Sequence, residues 1–568
     1  MTATRPASDA AISAGSALYP RVRETYTYGT AGFRTLAEVL DSVLFRMGLL
    51  AVLRSKALHG QWVGVMVTAS HNEERDNGVK LVEPMGEMLV PAWEVYAAQL
   101  ANAVTDAALV EAVAAVVAAA GIDLAQPARV VYAADTRPSG PRLIACLEHG
   151  LRAMDAATET RGLGVATTPE LHYVVCCLNT RDAPRPYGQP DRAGYLSKLA
   201  TAFGGLVTTP PPSPLHVDCA NGVGSLAMTA LLETLRAAGT GALLDVRLMN
   251  TATATPGALN RDCGADFVKF HQKPPAGLRL QEGDRWCSLD GDADRIVFYY
   301  VRDGAFRLLD GDKIAVLAAV YIRDLLAAAQ LAPLPATAAD AAATPQPLTV
   351  GIVQTAYANG SATAYIRDVL KLQTVCTPTG VKHLHHAAQA FDVGVYFEAN
   401  GHGTVLFSPR AVALFHAAAG ATPAQQAAIV ALRALTDLIN QTVGDAISDL
   451  LLVEAALAHA RMAFPDWDAL YTDLPNRQVK VRVADRHQFV PIKADTELAE
   501  PAALQDQIRG LVAQTPQGRC FVRPSGTEDV VRVYAEAQTV ADTVRLAQAV
   551  CDVIYDHHGG LGDRPRVA

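Results

Sequence analysis

Short apolar runs that stop on polar loops recur along this chain. Residues 61–67, QWVGVMV, are apolar and β-branched around one glycine, the composition of a buried strand. The run stops on TASHNEERDNG, where a hydroxyl, an imidazole and an amide precede a cluster of charge. The same form returns in RVVYAADTRPSG (129–140), LHVDCANGVGS (215–225), GIVQTAYANGS (351–361) and YFEANGHGTVLF (396–407). Between the strands lie helical patterns: an Ala/Val-rich run read as one helix over 100–120, then 141–154, 227–239 and 313–330. Alternation of this kind predicts α/β domains with parallel strands. The end of the chain reads differently. QVKVRVA, RCFV and VVRVYAEA are strands closely spaced around charged turns, and residues 540–557 form a closing helix.

This rhythm divides the chain into 1–190, 191–309 and 310–450 as three α/β units, and 451–568 as a smaller α+β unit. A length of 568 residues accommodates about three to five domains. The stretch LAPLPATAADAAATPQP, within 331–347, reads as a surface insertion. Half the residues are apolar and 18% are charged, so core is ample; a net charge of -9 argues against a general nucleic-acid partner. The nine cysteines include no C-x-x-C pair and mostly lie in apolar runs, which predicts reduced buried thiols and a cytoplasmic setting. The longest uncharged stretch, 411–432, is Ala/Gln-rich and contains Pro423, a poor membrane span; the N-terminus has no apolar leader pattern.

Four of the loops carry chemistry. LDGDADR sets Asp290, Asp292 and Asp294 at alternate positions, and curling at Gly291 would bring them to one point. Carboxylates that close repel unless a cation neutralises them. With no His or Cys in the set, the cation is a hard one, Mg²⁺ rather than Zn²⁺. An EF-hand is excluded because Arg295 replaces its glycine and Val301 its last glutamate. In RPSGTED the backbone around Ser525, Gly526 and Thr527 can form an anion-binding nest, with Arg523 and Arg532 as planar cationic forks. An ordinary β-turn fits the same letters. Glu398 and Asn400 in YFEANGHG mix donors and acceptors suited to sugar hydroxyls, while an Asn-Gly hairpin turn explains the sequence equally well. In TPTGVKHLHHAA, Lys382 and His383 would face a ligand; His385 and His386 are expected on the helix surface.

Together these loops resemble the signature loops of the α-D-phosphohexomutases: TASHN, LDGDADR, FEANGHG and RPSGTEDVVRVYAEA. YGTAGFR, TTPELHY, LNRDCGADFVK and YTDLPNRQVKV narrow the resemblance to the phosphoacetylglucosamine mutase branch, as do Asn400 in the sugar loop and Asn72-Glu73 where many relatives have Asn-Pro. The resemblance runs from about Tyr26 to His557. It implies four domains around one cleft and reversible conversion of N-acetylglucosamine 6-phosphate to the 1-phosphate through a hexose 1,6-bisphosphate. Ser70 would carry the phosphoryl group, with Arg34, His71 and the candidate acid/base Lys80 beside it. Mg²⁺ would be held by Asp290, Asp292, Asp294 and a phosphate oxygen on Ser70. Glu398, Ala399, Asn400, Gly380 and Lys382 would face the sugar, and Arg523, Pro524, Ser525, Gly526, Thr527 and Arg532 the non-transferred phosphate. The implied partner is a small-molecule sugar phosphate bound by a monomer. A glucose or mannose phosphomutase, a non-catalytic binder and a metal-dependent phosphatase are the competing readings.

Overall fold

The computed structural model describes residues 5–22, 25–29, 32–331, 347–525 and 529–567. Gly526, Thr527 and most of the expected insertion, residues 332–346, lie outside them. Two compact units are present: Met1–Leu308 with Ala434–Ala458, and Leu309–Arg433 with His459–Ala568.

The first unit holds two five-stranded sheets. One comprises β1 (Phe33–Leu36), β2 (Trp62–Val67), β3 (Asp76–Val82), β4 (Arg129–Ala134) and β5 (Glu159–Val165), in the order β1-β3-β2-β4-β5. β2, β4 and β5 run parallel, while β3 is antiparallel to both β2 and β1. Residue alternation sends Val63, Val65 and Val67 into a core with the helix Asp41–Ala57. On the opposite face a Cβ at Gly64 would meet Val175 of the helix Thr168–Asn179, so this sheet is covered on both sides. The second sheet comprises β6 (Leu215–Asp218), β7 (Val246–Met249), β8 (Arg285–Leu289), β9 (Ile296–Arg302) and β10 (Ala305–Leu309), in the order β10-β9-β8-β6-β7. β8 and β9 form an antiparallel hairpin around the acidic turn.

In the second unit, β11 (Val350–Thr355), β12 (Gln373–Thr377), β13 (Val393–Phe397) and β14 (Gly403–Phe407) are ordered β12-β11-β13-β14, with the hairpin β13–β14 as the antiparallel edge. Then come β15 (Asn476–Arg482), β16 (Val490–Ile492), β17 (Glu497–Glu500), β18 (Arg519–Pro524) and β19 (Val530–Glu536). β15-β19-β18 is an antiparallel sheet, and β16 pairs only with β17. Val481, Val522, Val531 and Val533 pack from this sheet against Leu504 and Ile508 of one helix and Leu546 and Val550 of another. The class is therefore α/β, three mixed sheets plus a smaller antiparallel α+β portion. Among the described residues no helix is long and apolar enough to cross a membrane. All nine cysteines are free thiols, and Cys376 alone is exposed.

Two expectations change. Residues 100–120 are not one helix: Pro91–Asn102 ends, and Asp106–Ala119 begins on Thr105, whose hydroxyl caps Ala108 N–H. The cap stops continuation that the Ala/Val composition alone favours. His385 is buried rather than on the surface. It shares a helix face with Val381, Leu384 and Ala388, and its ring nitrogen Nδ1 lies 2.9 Å from the Tyr396 hydroxyl. His386 is exposed as expected.

Candidate active site

In the first unit the loop carrying Ser70 joins two antiparallel neighbours, β2 and β3, and the register sets Lys80 opposite Met66, one position before the end of β2. Ser70 is 1% exposed and sits at φ 51°, in the left-handed region. Non-glycine residues enter that region at a cost, and the surroundings must hold them there. Here the hold is extensive. Ser70 N–H donates to Thr68 Oγ1 (2.9 Å), whose hydroxyl donates to Asp135 Oδ2 (2.7 Å). Arg137, fully buried, pairs with the same Asp135 oxygen (3.0 Å) and donates to the carbonyls of Ser70, Asn72, Glu73 and Asp76. Asn260 Nδ2 donates to the Ser70 and Asn72 carbonyls a second time. Burial pushes the Asp135 carboxyl upward, against the lowering effect of Arg137.

The serine hydroxyl points at the acidic turn: Ser70 Oγ donates to Asp290 Oδ2 at 2.6 Å. Gly291 follows because a Cβ there would lie 2.5 Å from the Ser70 carbonyl oxygen and 2.7 Å from Asn260 Nδ2. The two loops touch backbone to backbone, and only glycine fits. Asp290, Asp292 and Asp294 bring one oxygen each within 4.8 Å of one another, all buried. Lys80 Nζ lies 3.5 Å from Asp292 and 3.4 Å from Asp294; Arg295 Nε lies 3.9 Å from Asp290 and 3.8 Å from Asp294. Asp292 Oδ1 is buried without a hydrogen-bond partner. Burial, then the charges of Asp294 and Asp292, push Asp290 well above the carboxylate range. These hard, crowded oxygens fit Mg²⁺. The turn is braced from two further places. Thr168 donates its hydroxyl to Asp292 Oδ2 (2.6 Å) and its N–H to the Asp292 carbonyl (3.1 Å), and Ala446 N–H donates to the Ala293 carbonyl (3.0 Å).

Arg34 reaches Asn72 Oδ1 at 3.4 Å and is lowered by burial, then by Arg295. His71 is depressed well below the usual imidazole range by burial, then by Arg295 and Arg34; its Nδ1 is buried with no partner. Ser70, His71, Arg34, Lys80 and the three aspartates thus gather in one place.

In the second unit, the β13–β14 hairpin turns on Glu398–His402. Glu398 N–H donates to the His402 carbonyl (2.8 Å), and Asn400 Nδ2 lies 3.3 Å from Glu398 Oε2. Gly311 supports the turn, since a Cβ there would lie 1.9 Å from the Glu398 carbonyl oxygen. Glu398, Ala399 and Asn400 are half-buried. Gly380, at φ 131°, opens the helix Val381–Ala388 that carries Lys382. On the C-terminal sheet Arg523 pairs in register with Arg532. Both alternate with the core residues Val522, Val531 and Val533, so they share the opposite face. Ser525, buried, donates its N–H to the Val530 carbonyl (2.9 Å) and closes the turn after Pro524.

Arg137, Asn260, Thr68, Asp135 and Thr168 were not singled out from sequence. All five lie in quoted motifs: Thr68 in TASHN, Asp135 and Arg137 in DTRPSG, Thr168 in TTPELHY and Asn260 in LNRDCGADFVK, which is the signal that could have found them.

Family models for "Phosphoacetylglucosamine mutase AMG1", domain II and domain III, match residues 207–297 and 310–462, and the "Phosphoglucomutase/phosphomannomutase, C-terminal domain" model matches residues 479–553. The chain is 49% identical over 546 residues to phosphoacetylglucosamine mutase of Sus scrofa, covering 95% of each. It is 44% identical to that of Saccharomyces cerevisiae, covering 94% of this chain and 95% of the other. A solved structure of Aspergillus fumigatus N-acetylphosphoglucosamine mutase, in complex with GlcNAc-6P and magnesium, matches with a TM-score of 0.90 at 49% identity over 97% of this chain and 99% of that one.

Proposed function

Since the chain belongs to the phosphoacetylglucosamine mutase family, we propose that it interconverts N-acetylglucosamine 6-phosphate and N-acetylglucosamine 1-phosphate. The observation that carries this reading is the Ser70 hydroxyl held 2.6 Å from Asp290 at the edge of the carboxylate triad. A serine there can carry a phosphoryl group beside a bound divalent cation. Asp290, Asp292 and Asp294 would hold Mg²⁺, which when bound offsets charge on the transferring oxygens.

The phosphoryl group on Ser70 Oγ passes to the C1 hydroxyl of the 6-phosphate: the P–Oγ bond breaks and P–O1 forms. The bound 1,6-bisphosphate then returns its 6-phosphoryl group to Ser70: P–O6 breaks and P–Oγ forms again. The hydroxyl proton released in each half-reaction ends on the oxygen uncovered in it. Lys80, beside Asp292 and Asp294, would shuttle that proton. His71, kept neutral by burial, is a second acceptor. Arg137 and Asn260 fix the loop carbonyls, so little reorganisation accompanies transfer. Glu398 and Asn400 would hold sugar hydroxyls, and Arg523 with Arg532 the phosphate that stays. The product would feed nucleotide-sugar synthesis.

The test is a mutase assay on N-acetylglucosamine, glucose and mannose phosphates, with and without Mg²⁺. Turnover is expected to be highest on the acetamido sugar, to need the metal, and to vanish in Ser70→Ala. Preference for glucose 1-phosphate would move the chain to another branch of the superfamily, and net phosphate release would make it a phosphatase.

A further inference from the structure

We propose that Asp495 is a positioning residue for Arg523, with Tyr357 as a second neighbour of the guanidinium. The proposal rests on the reading of Arg523 as a phosphate ligand.

The register of the C-terminal sheet poses a charge problem. Arg523 stands opposite Arg532, so two guanidiniums face each other across β18 and β19. Like charges directly opposite destabilise a sheet unless anions offset them. One anion is built in. Asp495 Oδ2 lies 3.2 Å from Arg523 Nε and also accepts the Thr379 N–H at 2.8 Å. Asp495 comes from the tip of the β16–β17 hairpin, where Lys493, Ala494 and Asp495 take φ of 49°, 57° and 68° in succession. Three consecutive non-glycine residues in the left-handed region are held there by their surroundings.

The geometry divides the labour on Arg523. A carboxylate on Nε engages one edge of the guanidinium and leaves the paired terminal nitrogens for bidentate contact with a phosphate. Through Thr379 the same carboxylate ties this arginine to the loop carrying Gly380 and Lys382. Tyr357 comes from the loop after β11. Its ring meets Phe521 edge-on at 5.0 Å and Tyr534 at 5.8 Å. Its hydroxyl is buried. Burial raises the pKa of that hydroxyl, while the charges of Arg523 and Arg532 and a side-chain hydrogen bond with Arg523 lower it.

Asp495 is not required to fasten this sheet to the rest of its unit. Arg519 does so, bonding Glu536 at 2.8 Å and the Ala356 carbonyl at 2.7 Å, while Gly360 N–H donates to Glu536.

The experiment measures binding of N-acetylglucosamine 6-phosphate by calorimetry, alongside kcat, KM and thermal midpoint. The proteins are the full chain, Asp495→Asn, Asp495→Glu, Tyr357→Phe and the Asp495→Asn/Tyr357→Phe double variant. Asp495→Asn is expected to weaken binding and raise KM by about 10-fold with kcat within about 2-fold, and Tyr357→Phe to raise KM by about 3-fold. Asp495→Glu is expected to recover part of the loss, and the double variant to lose less than the product of the singles, because both act through Arg523. Unchanged or tighter binding in Asp495→Asn overturns the proposal, as does a fall in kcat at constant KM. If Asp495→Asn melts early, Tyr357→Phe decides on the same two readouts. Binding that depends on Asp495 in a protein without mutase turnover would retain this proposal and remove the functional reading alone.

Discussion

The acidic turn of the first unit and the arginine face of the second are out of balance in opposite senses. Around Ser70, three buried carboxylates crowd one point, with Lys80, Arg295 and Arg34 as the neighbouring cations, and Asp292 keeps one oxygen without a hydrogen-bond partner among the described residues. On the C-terminal sheet, Arg523 and Arg532 stand side by side, and among the described residues Asp495 pairs with Arg523. Each imbalance names what it lacks: a small hard cation in one place, an oxyanion in the other. A sugar phosphate handled by a metal-dependent transfer needs both.

The contrast can be broken most forcefully at the triad. Asp292→Asn is expected to lower turnover by about 10²–10³-fold. The same change should raise the thermal midpoint of the metal-free protein, because it relieves like-charge repulsion, and should shrink the gain that Mg²⁺ gives. A metal-free variant that melts below its parent would mean that the triad is already balanced. A smaller effect is expected on the cationic side. Arg523→Lys keeps the charge and loses the fork, and KM should rise by about 10-fold with kcat nearly unchanged. Equal losses in kcat and KM would place Arg523 in the transfer step instead.

A third buried charge sharpens the comparison. Asp449 is fully buried, and the neighbour that favours its charged form is the Asp445 backbone. Burial, then the charge of Asp445, push its carboxyl well above the ordinary range. A raised pKa favours a proton here rather than a ligand. With a raised folded-state pKa, its contribution to stability is full below the unfolded value of about 4 and is lost as pH rises through the folded value. Asp449→Asn should therefore match its parent in urea unfolding near pH 4 and exceed it increasingly toward pH 8, with turnover unaltered. Parallel stability curves would show that Asp449 is ionised in the fold.

Much of this was legible in the letters because strand ends and turns are local. The loop after β2, the β8–β9 and β13–β14 hairpins and the β18–β19 strands are marked by a change from apolar alternation to Gly, Asp, Asn and Ser. Arg137 was not legible as a support. Four of its bonds go to backbone carbonyls, which every residue owns, so no spacing announces them. Asn260 is the same case, 190 residues from the carbonyl it holds. His385 was legible and was missed: Val381, Leu384 and Ala388 set a helix face on which it falls, but the surrounding histidines suggested a surface.

The hydrogen bond from Ala446 to Ala293 has a consequence for how the molecule is made. The segment Ala434–Ala458 belongs to the first unit, yet the chain reaches it only after passing through much of the second. At about 5–20 residues per second, a ribosome needs roughly 10–30 s to travel from the metal turn to the residue that braces it. During that interval the nascent first unit holds its serine and all three aspartates, but its acidic turn lacks one of its struts. The last brace of the acidic turn is thus delivered by the departure and return of the chain, and a nascent protein stopped before residue 434 carries Ser70 and the three aspartates without their full frame.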